Sequence, residues 1–357
     1  MAGASVLSAD DEAAALEALH ELGCTDGLPV VVPTPERVER MAAAGGLDLD
    51  LVVAEMGPAL GAATVAKLAA AAVMAGCLPD YFPLVLGAVQ AVCQPEFDLT
   101  EVQATTHCLA PLVIVNGPAA AACGLASGFG ALGPGFRANA SIGRALRLAM
   151  MNIGGARPGV SDMALLGHPG KFTYCMAEDE QGSPFEPLHV SRGFSPEDSV
   201  VTVVGCEAPH SVVCVVDADD PDWPQRFLSV LATSLAGVGT NNANLTGGAA
   251  VVVVNPDHAA AMARFGYDRS KMAEALVELA VNRRGDLRRF NPGFVGRGTD
   301  DDIVAAFRRP EDIVIVHGGG GGLYSMVMPS WCAGPHRNPV VSQLVDLNPA
   351  CEIPGMR

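Results

Sequence analysis

Between residues 131 and 189 the chain gathers Arg137, Asn139, Arg144, Arg147, Lys171, Cys175, Glu178, Asp179, Glu180 and His189 among glycines and prolines, although only 17% of the whole chain is charged. Polar groups gathered in turns and at helix ends are what the floor of an active site requires. Arg144 and Arg147 fall one helical turn apart, with Arg137 just ahead, so they can grip a carboxylate or phosphate bidentately. The alternative is that they pair with the chain's own acids, which outnumber its bases 39 to 22. A strand over 171–176 would put Lys171, Thr173 and Cys175 on one face, with Glu178 at its end. A carboxylate and an imidazole placed there form a general acid/base pair. Glu178 and His189 are therefore the expected proton carriers, with Cys175 and Asp26 as further catalytic candidates. Arg137, Asn139, Arg144 and Lys171 are expected to hold the anion. Thr106 and Asn116, read as strand-end residues, would donate to an oxyanion. On this reading 106–116, 137–147 and 171–189 converge on one pocket.

These groups need a scaffold, and its elements are legible. Ser8 with Asp10, Asp11 and Glu12 opens a helix running to Gly23, and Thr34-Pro35-Glu36 is an N-cap, first-turn proline and first-turn acid for a second. Residues 62–76 and 82–93 form Ala-, Val- and Leu-rich helices. Asn139 or Ser141 can cap a helix whose buried stripe is Ile142, Ala145, Leu146, Ala149 and Met150. The unbroken apolar runs 112–115, 251–254 and 313–316 read as strands buried on both faces, and 201–205 and 212–216 as two more. The expected class is α/β or α+β, with a mixed, mostly buried sheet flanked by helices in two closely packed lobes. The expected boundary splits a helix-rich lobe, 1–195, from an α/β lobe, 196–357, that carries the glycine-rich loop 318–322. No repeat of roughly 20 to 50 residues is visible.

Several chemistries are disfavoured. Gly128-Phe-Gly130-Ala-Leu-Gly133 matches a dinucleotide fingerprint as a string, but no strand leads into it and Pro134-Gly135 follows. The run His317 to Gly322 follows a strand directly, so Gly319 and Gly320 are candidate ligand contacts, with a flexible hairpin turn as the alternative reading. A net charge of −17 repels nucleic acid and anionic membrane faces. The amino terminus lacks a secretory pattern and no apolar stretch spans a bilayer. A cytoplasmic protein is expected, with its ten cysteines reduced and mostly buried. No metal motif is present, so a metal site would have to be assembled from residues distant in sequence, and no cofactor is expected.

GCTDGLPVVVPTPERV (23–38), MAGCLPDYFPLVLGAV (74–89), ATTHCLAPLVIVNGP (104–118), GPGFRANASIGRALRL (133–148) and LGHPGKFTYCMAEDEQGSPFEPLHVSRGF (166–194) resemble a family of bacterial proteins. Its members sit near, or are fused to, a small protein with a Cys/Sec-Gly-Ser-Cys motif. The resemblance implies membership rather than a reaction, and a possible small thiol or selenol partner. No Gly-Ser-Cys motif occurs in this chain. The family position of Cys24 is often tryptophan, which argues against Cys24 as a nucleophile.

The expected function is an enzyme of lyase or hydrolase type. It would act on a small anionic metabolite by acid/base or thiol-assisted cleavage or addition, and a homo-oligomer is expected. The alternatives are the substrate-binding large subunit of a thiol or selenol redox system, and a non-catalytic binding protein.

Overall fold

The computed structural model describes residues 6–345. Its strands are β1 (Val52–Met56), β2 (Gly61–Thr64), β3 (Ala110–Asn116), β4 (Cys175–Ala177), β5 (Val200–Cys206), β6 (His210–Val213), β7 (Ala250–Val254), β8 (Val281–Arg283), β9 (Ile303–Ala305), β10 (Ile313–His317), β11 (Tyr324–Pro329) and β12 (Val341–Leu344). Two mixed four-stranded sheets dominate, ordered β12-β5-β3-β4 and β10-β7-β11-β6. The protein is thus a mixed α/β fold, but with two stacked sheets rather than one central sheet. Alternation along β3 shows the stacking. Val113 and Val115 join the core beneath helices Val65–Ala75, Phe82–Val92 and Arg137–Asn152, whereas Leu112 and Ile114 pack with Val251, Val253, Val314 and Val316 of the second sheet. Val252, Val254 and Ile315 then meet helices Trp223–Leu235 and Arg269–Leu279. The four layers run helix, sheet, sheet, helix. Strands β3, β5, β7 and β10 are buried on both faces because one face meets helices and the other meets a sheet.

The two sheets repeat one topology. β3 and β7 are central, β4 and β10 lie parallel beside them, and β5 and β11 lie antiparallel on the other side. Each unit then gives its next strand to the other sheet: β6 pairs with β11, and β12 pairs with β5. Reciprocal backbone bonds mark the crossing, with Glu207 N–H donating to the Pro329 carbonyl at 2.9 Å and Trp331 N–H to the Gly205 carbonyl at 3.2 Å. A cut near residue 195 would part β3 and β4 from their sheet neighbours β5 and β12. Extending the registers makes Asn116 and Asn255 equivalent, each ending a central strand ahead of a proline-started helix. This duplicated unit is far longer than the roughly 20–50-residue repeats sought in the sequence. The duplication lives in strand order, which apolar runs of differing residues preserve without similarity in sequence.

Thr34 starts the second helix as expected, whereas the first starts at Asp11 rather than Ser8 and the helix expected from residue 62 starts after Thr64, at the end of β2. The Asp11, Thr34 and Thr64 side chains accept from backbone N–H groups of the first turns. Two further readings fail. The helix Arg137–Asn152 begins at Arg137 after Phe136, so Asn139 and Ser141 lie inside it. Residues 169–171 form a 3₁₀ turn and the strand begins only at Cys175, so Lys171 shares no strand face with Cys175.

Candidate functional site

β4 and β10 are the edges of their sheets, and their C-terminal ends meet. Asp179 N–H donates to the His317 carbonyl at 3.0 Å, and Gly319 N–H to the Ser127 carbonyl at 2.8 Å. A buried polar cluster fills this seam. The Asn116 amide nitrogen donates to Glu178 Oε2 at 2.7 Å and to Glu180 Oε1 at 2.8 Å, so one side chain bridges two carboxylates. Glu178, 4% exposed, also accepts from Leu188 N–H at 2.7 Å, from His317 N–H at 3.3 Å and from the Arg269 guanidinium. Four donors, one of them a cation, saturate it. Its bond to Leu188 N–H fixes the short helix Leu188–Ser191, which sets the position of His189.

His189 is fully buried, and neither ring nitrogen has a hydrogen-bond partner. Its Nδ1 lies 3.7 Å from Glu180 Oε1, and Glu180 is the partly exposed member of the pair at 26% of its side chain. His317 is also fully buried. Its Nδ1 stands 2.8 Å from the Asp179 carbonyl, an oxygen that can only accept, so Nδ1 carries the proton. His317 Nε2 has no partner, and neither has Asn116 Oδ1. Buried polar atoms are nearly always hydrogen-bonded, so four orphaned atoms on three neighbouring residues single this cluster out.

The predicted site residues divide around it. Asn116, Glu178 and His189 come together as expected, joined by Glu180, Arg269 and His317. The expected convergence of all three segments does not occur. Lys171 Nζ bonds the Leu109 carbonyl, at the entry to β3, while Glu178 lies beside Asn116 at its exit. Seven strand residues separate these points by roughly 23 Å. Thr106 precedes that same entry and is exposed, so it cannot share an oxyanion with Asn116.

The expected anion clamp is occupied by the protein itself. Arg137 donates twice to the Gly76 carbonyl, at 3.0 and 2.9 Å. The Asn139 side chain binds Ala126 and the Ala131 carbonyl, tying down the preceding loop. Lys171 pairs with Asp162 at 2.9 Å, the acid that also holds Arg147 at 2.8 Å. Arg144 grips both oxygens of Asp26 at 2.8 Å and reaches the Pro29 carbonyl at 2.9 Å. This last pair removes Asp26 from the catalytic candidates, because its carboxylate is 4% exposed and committed. Arg144→Lys keeps the charge but loses the planar fork. It should therefore lower stability by about 1.5–3 kcal/mol in urea unfolding. Unchanged stability would return Arg144 to ligand binding.

Cys175 points away from the seam into the helix-facing core, and full burial pushes its thiol far above the usual range. A thiol kept protonated is a poor nucleophile. Burial likewise raises Cys77, Cys93 and Cys332 to about 12. All nine described cysteines are free, but only Cys77, Cys175, Cys206 and Cys332 are buried and the other five are half-buried, fewer than expected; Cys351 lies outside the described residues. The glycine-rich segment is not a hairpin turn, since β7 lies between β10 and β11. Gly319 N–H donates to the Ser127 carbonyl, and a Cβ at Gly320 would overlap the Phe129 ring, so the 126–130 loop packs closely against Gly320.

His168 lies at the entry end of β3, where its Nε2 donates to the Cys206 carbonyl at 3.2 Å and its Nδ1 accepts from Gly170 N–H at 3.1 Å. The bond from Gly170 needs Nδ1 unprotonated, and so the neutral ring. Burial, the largest cause, lowers its pKa to about 4. The unfolded chain, near 6.5, binds the proton first as pH falls. His168 therefore costs stability progressively from about pH 6.5 down to 4. Urea midpoints of His168→Gln should fall less steeply across that window than those of the wild type, and parallel curves would count against this assignment.

No protein-family model, no curated protein and no solved structure matches this chain. Among the described residues, no group of three or more His, Cys, Asp or Glu is arranged to hold a metal ion, and no helix is long and apolar enough to cross a membrane. Sequence reasoning missed Arg269 and His317 as members of the cluster. His317 had a signal, as a histidine ending a buried apolar strand. Arg269 had none, since its helix reads as an ordinary charged surface helix.

Proposed function

We propose that this chain is an enzyme of lyase or hydrolase type, moving protons on a small metabolite at Glu180, His189 and His317. The observation that carries the reading is His189. A fully buried imidazole with both nitrogens unpartnered, 3.7 Å from a carboxylate that reaches solvent, is costly in a purely structural core. A substrate that hydrogen-bonds the ring would offset that cost. In the proposed mechanism Glu180 orients and polarises His189, whose ring takes or returns a proton. The unpartnered Nε2 of His317 accepts from a substrate hydroxyl or amine. Glu178 acts as a positioning residue, because its oxygens are already filled.

The substrate reading changes with the geometry. Arg137, Arg144 and Lys171 are committed elsewhere, and Asp179 and Glu180 make the rim acidic. A neutral or cationic group at the reacting end suits that rim better than an oxyanion. Thiol assistance loses its candidate in Cys175, so any thiol step would depend on a partner.

The test is consumption of small metabolites from a cell extract, followed by mass spectrometry, with wild type and His189→Gln side by side. A species consumed by wild type and spared by the variant supports the reading. A species bound but never converted would favour the non-catalytic binding protein.

A further inference from the structure

The opposite end of β7 carries a second cluster that the proposed chemistry does not use. Arg308 Nε lies 3.1 Å, and an Arg337 terminal nitrogen 3.4 Å, from the point where a Cβ of Gly247 would stand. The two guanidiniums thus converge over a residue with no side chain. Among the described residues, no carboxylate is within ion-pair distance of either one. Arg337 bonds only the Leu245 and Thr246 carbonyls, at 3.4 and 2.9 Å, leaving the rest of its fork open. In a chain of net charge −17, two facing cations without an acid between them are not a default of composition. Like charges this close repel unless an anion joins them.

The backbone here is also held in an unusual state. Thr246, Gly247 and Gly248 have φ of 54, 127 and 77°, and the facing Arg337 and Asn338 have 61 and 49°. Left-handed non-glycine residues cost free energy, and persist where surrounding contacts enforce them. Those contacts are in place. Asn242 donates to the Gly247 and Ala249 carbonyls at 2.8 and 3.2 Å, Asn338 donates to the Gly205 carbonyl at 3.1 Å, and the Arg337 bond to Thr246 ties the two segments together. The result is a rigid cradle with two converging guanidiniums.

We propose that Arg308 and Arg337 form a binding site for a small oxyanion, the carboxylate or phosphate group of a metabolite, seated over Gly247. Each guanidinium offers a planar fork that matches two oxygens of such a group. The site is distinct from the Glu180–His189 cluster. β7 runs between them, from Ala250 near the cradle to Val254, which pairs with His317, a span of roughly 15 Å.

The test is isothermal titration of the full chain at low ionic strength with inorganic phosphate in one arm and succinate in the other. Saturable binding of either anion is expected, and the arm that binds more tightly names the class. Arg308 is exposed, so Arg308→Gln should fold, and it should weaken binding at least about tenfold. The exposed control Arg264→Gln should leave binding unchanged. Arg308→Gln should also melt at or above the wild-type temperature in the absence of anion, because it relieves repulsion. Absence of saturable binding in both arms, or equal affinity of wild type and Arg308→Gln, would overturn the proposal. Equal weakening by Arg264→Gln would also overturn it, by reducing the effect to net charge.

Discussion

Glu178→Ala is expected to destabilise the protein by about 3–5 kcal/mol in urea unfolding, because it strands a buried Arg269 guanidinium whose counter-charge is gone. The Arg269 side chain is 10% exposed and that of Glu178 is not exposed at all, so water cannot take the place of the lost carboxylate. The same change frees Leu188 N–H and one donor of Asn116, which loosens the support of His189. Replacing both partners together, Glu178→Met with Arg269→Met, should recover much of the loss, since an apolar pair leaves no uncompensated charge. A single variant within about 1 kcal/mol of wild type would show that Glu178 does not organise the seam.

His189→Gln is expected to behave in the opposite way. Turnover should fall by roughly 10²- to 10⁴-fold, the usual contribution of a positioned acid/base group. Stability should stay near that of wild type, because the ring makes no hydrogen bond that the substitution could remove. The separation of the two effects is the diagnostic feature. A core histidine with a merely structural role would give lost stability and retained turnover, and that outcome would remove His189 from the proposed mechanism.

The sequence by itself determined most of the elements and three members of the candidate cluster. Unbroken apolar runs at 112–115, 251–254 and 313–316 are strands because nothing else buries both faces of so short a segment. Thr34 and Pro35 fixed the start of the second helix, since a local side-chain to backbone bond decides it. Asn116, Glu178 and His189 were legible as polar groups ending strands and opening turns. Only the tertiary structure decided the rest. Whether a cation binds a ligand or the protein depends on what lies across the fold: Arg144 meets Asp26, 118 residues away, and Arg269 meets Glu178, 91 residues away. Spacing along the chain carries no information about such partners. The face on which Cys175 falls was set by where its strand begins, four residues later than the pattern suggested. The exchanged strands β6 and β12, and the duplicated topology they close, are likewise invisible in sequence, because backbone pairing accepts any apolar residue and preserves order where side chains do not.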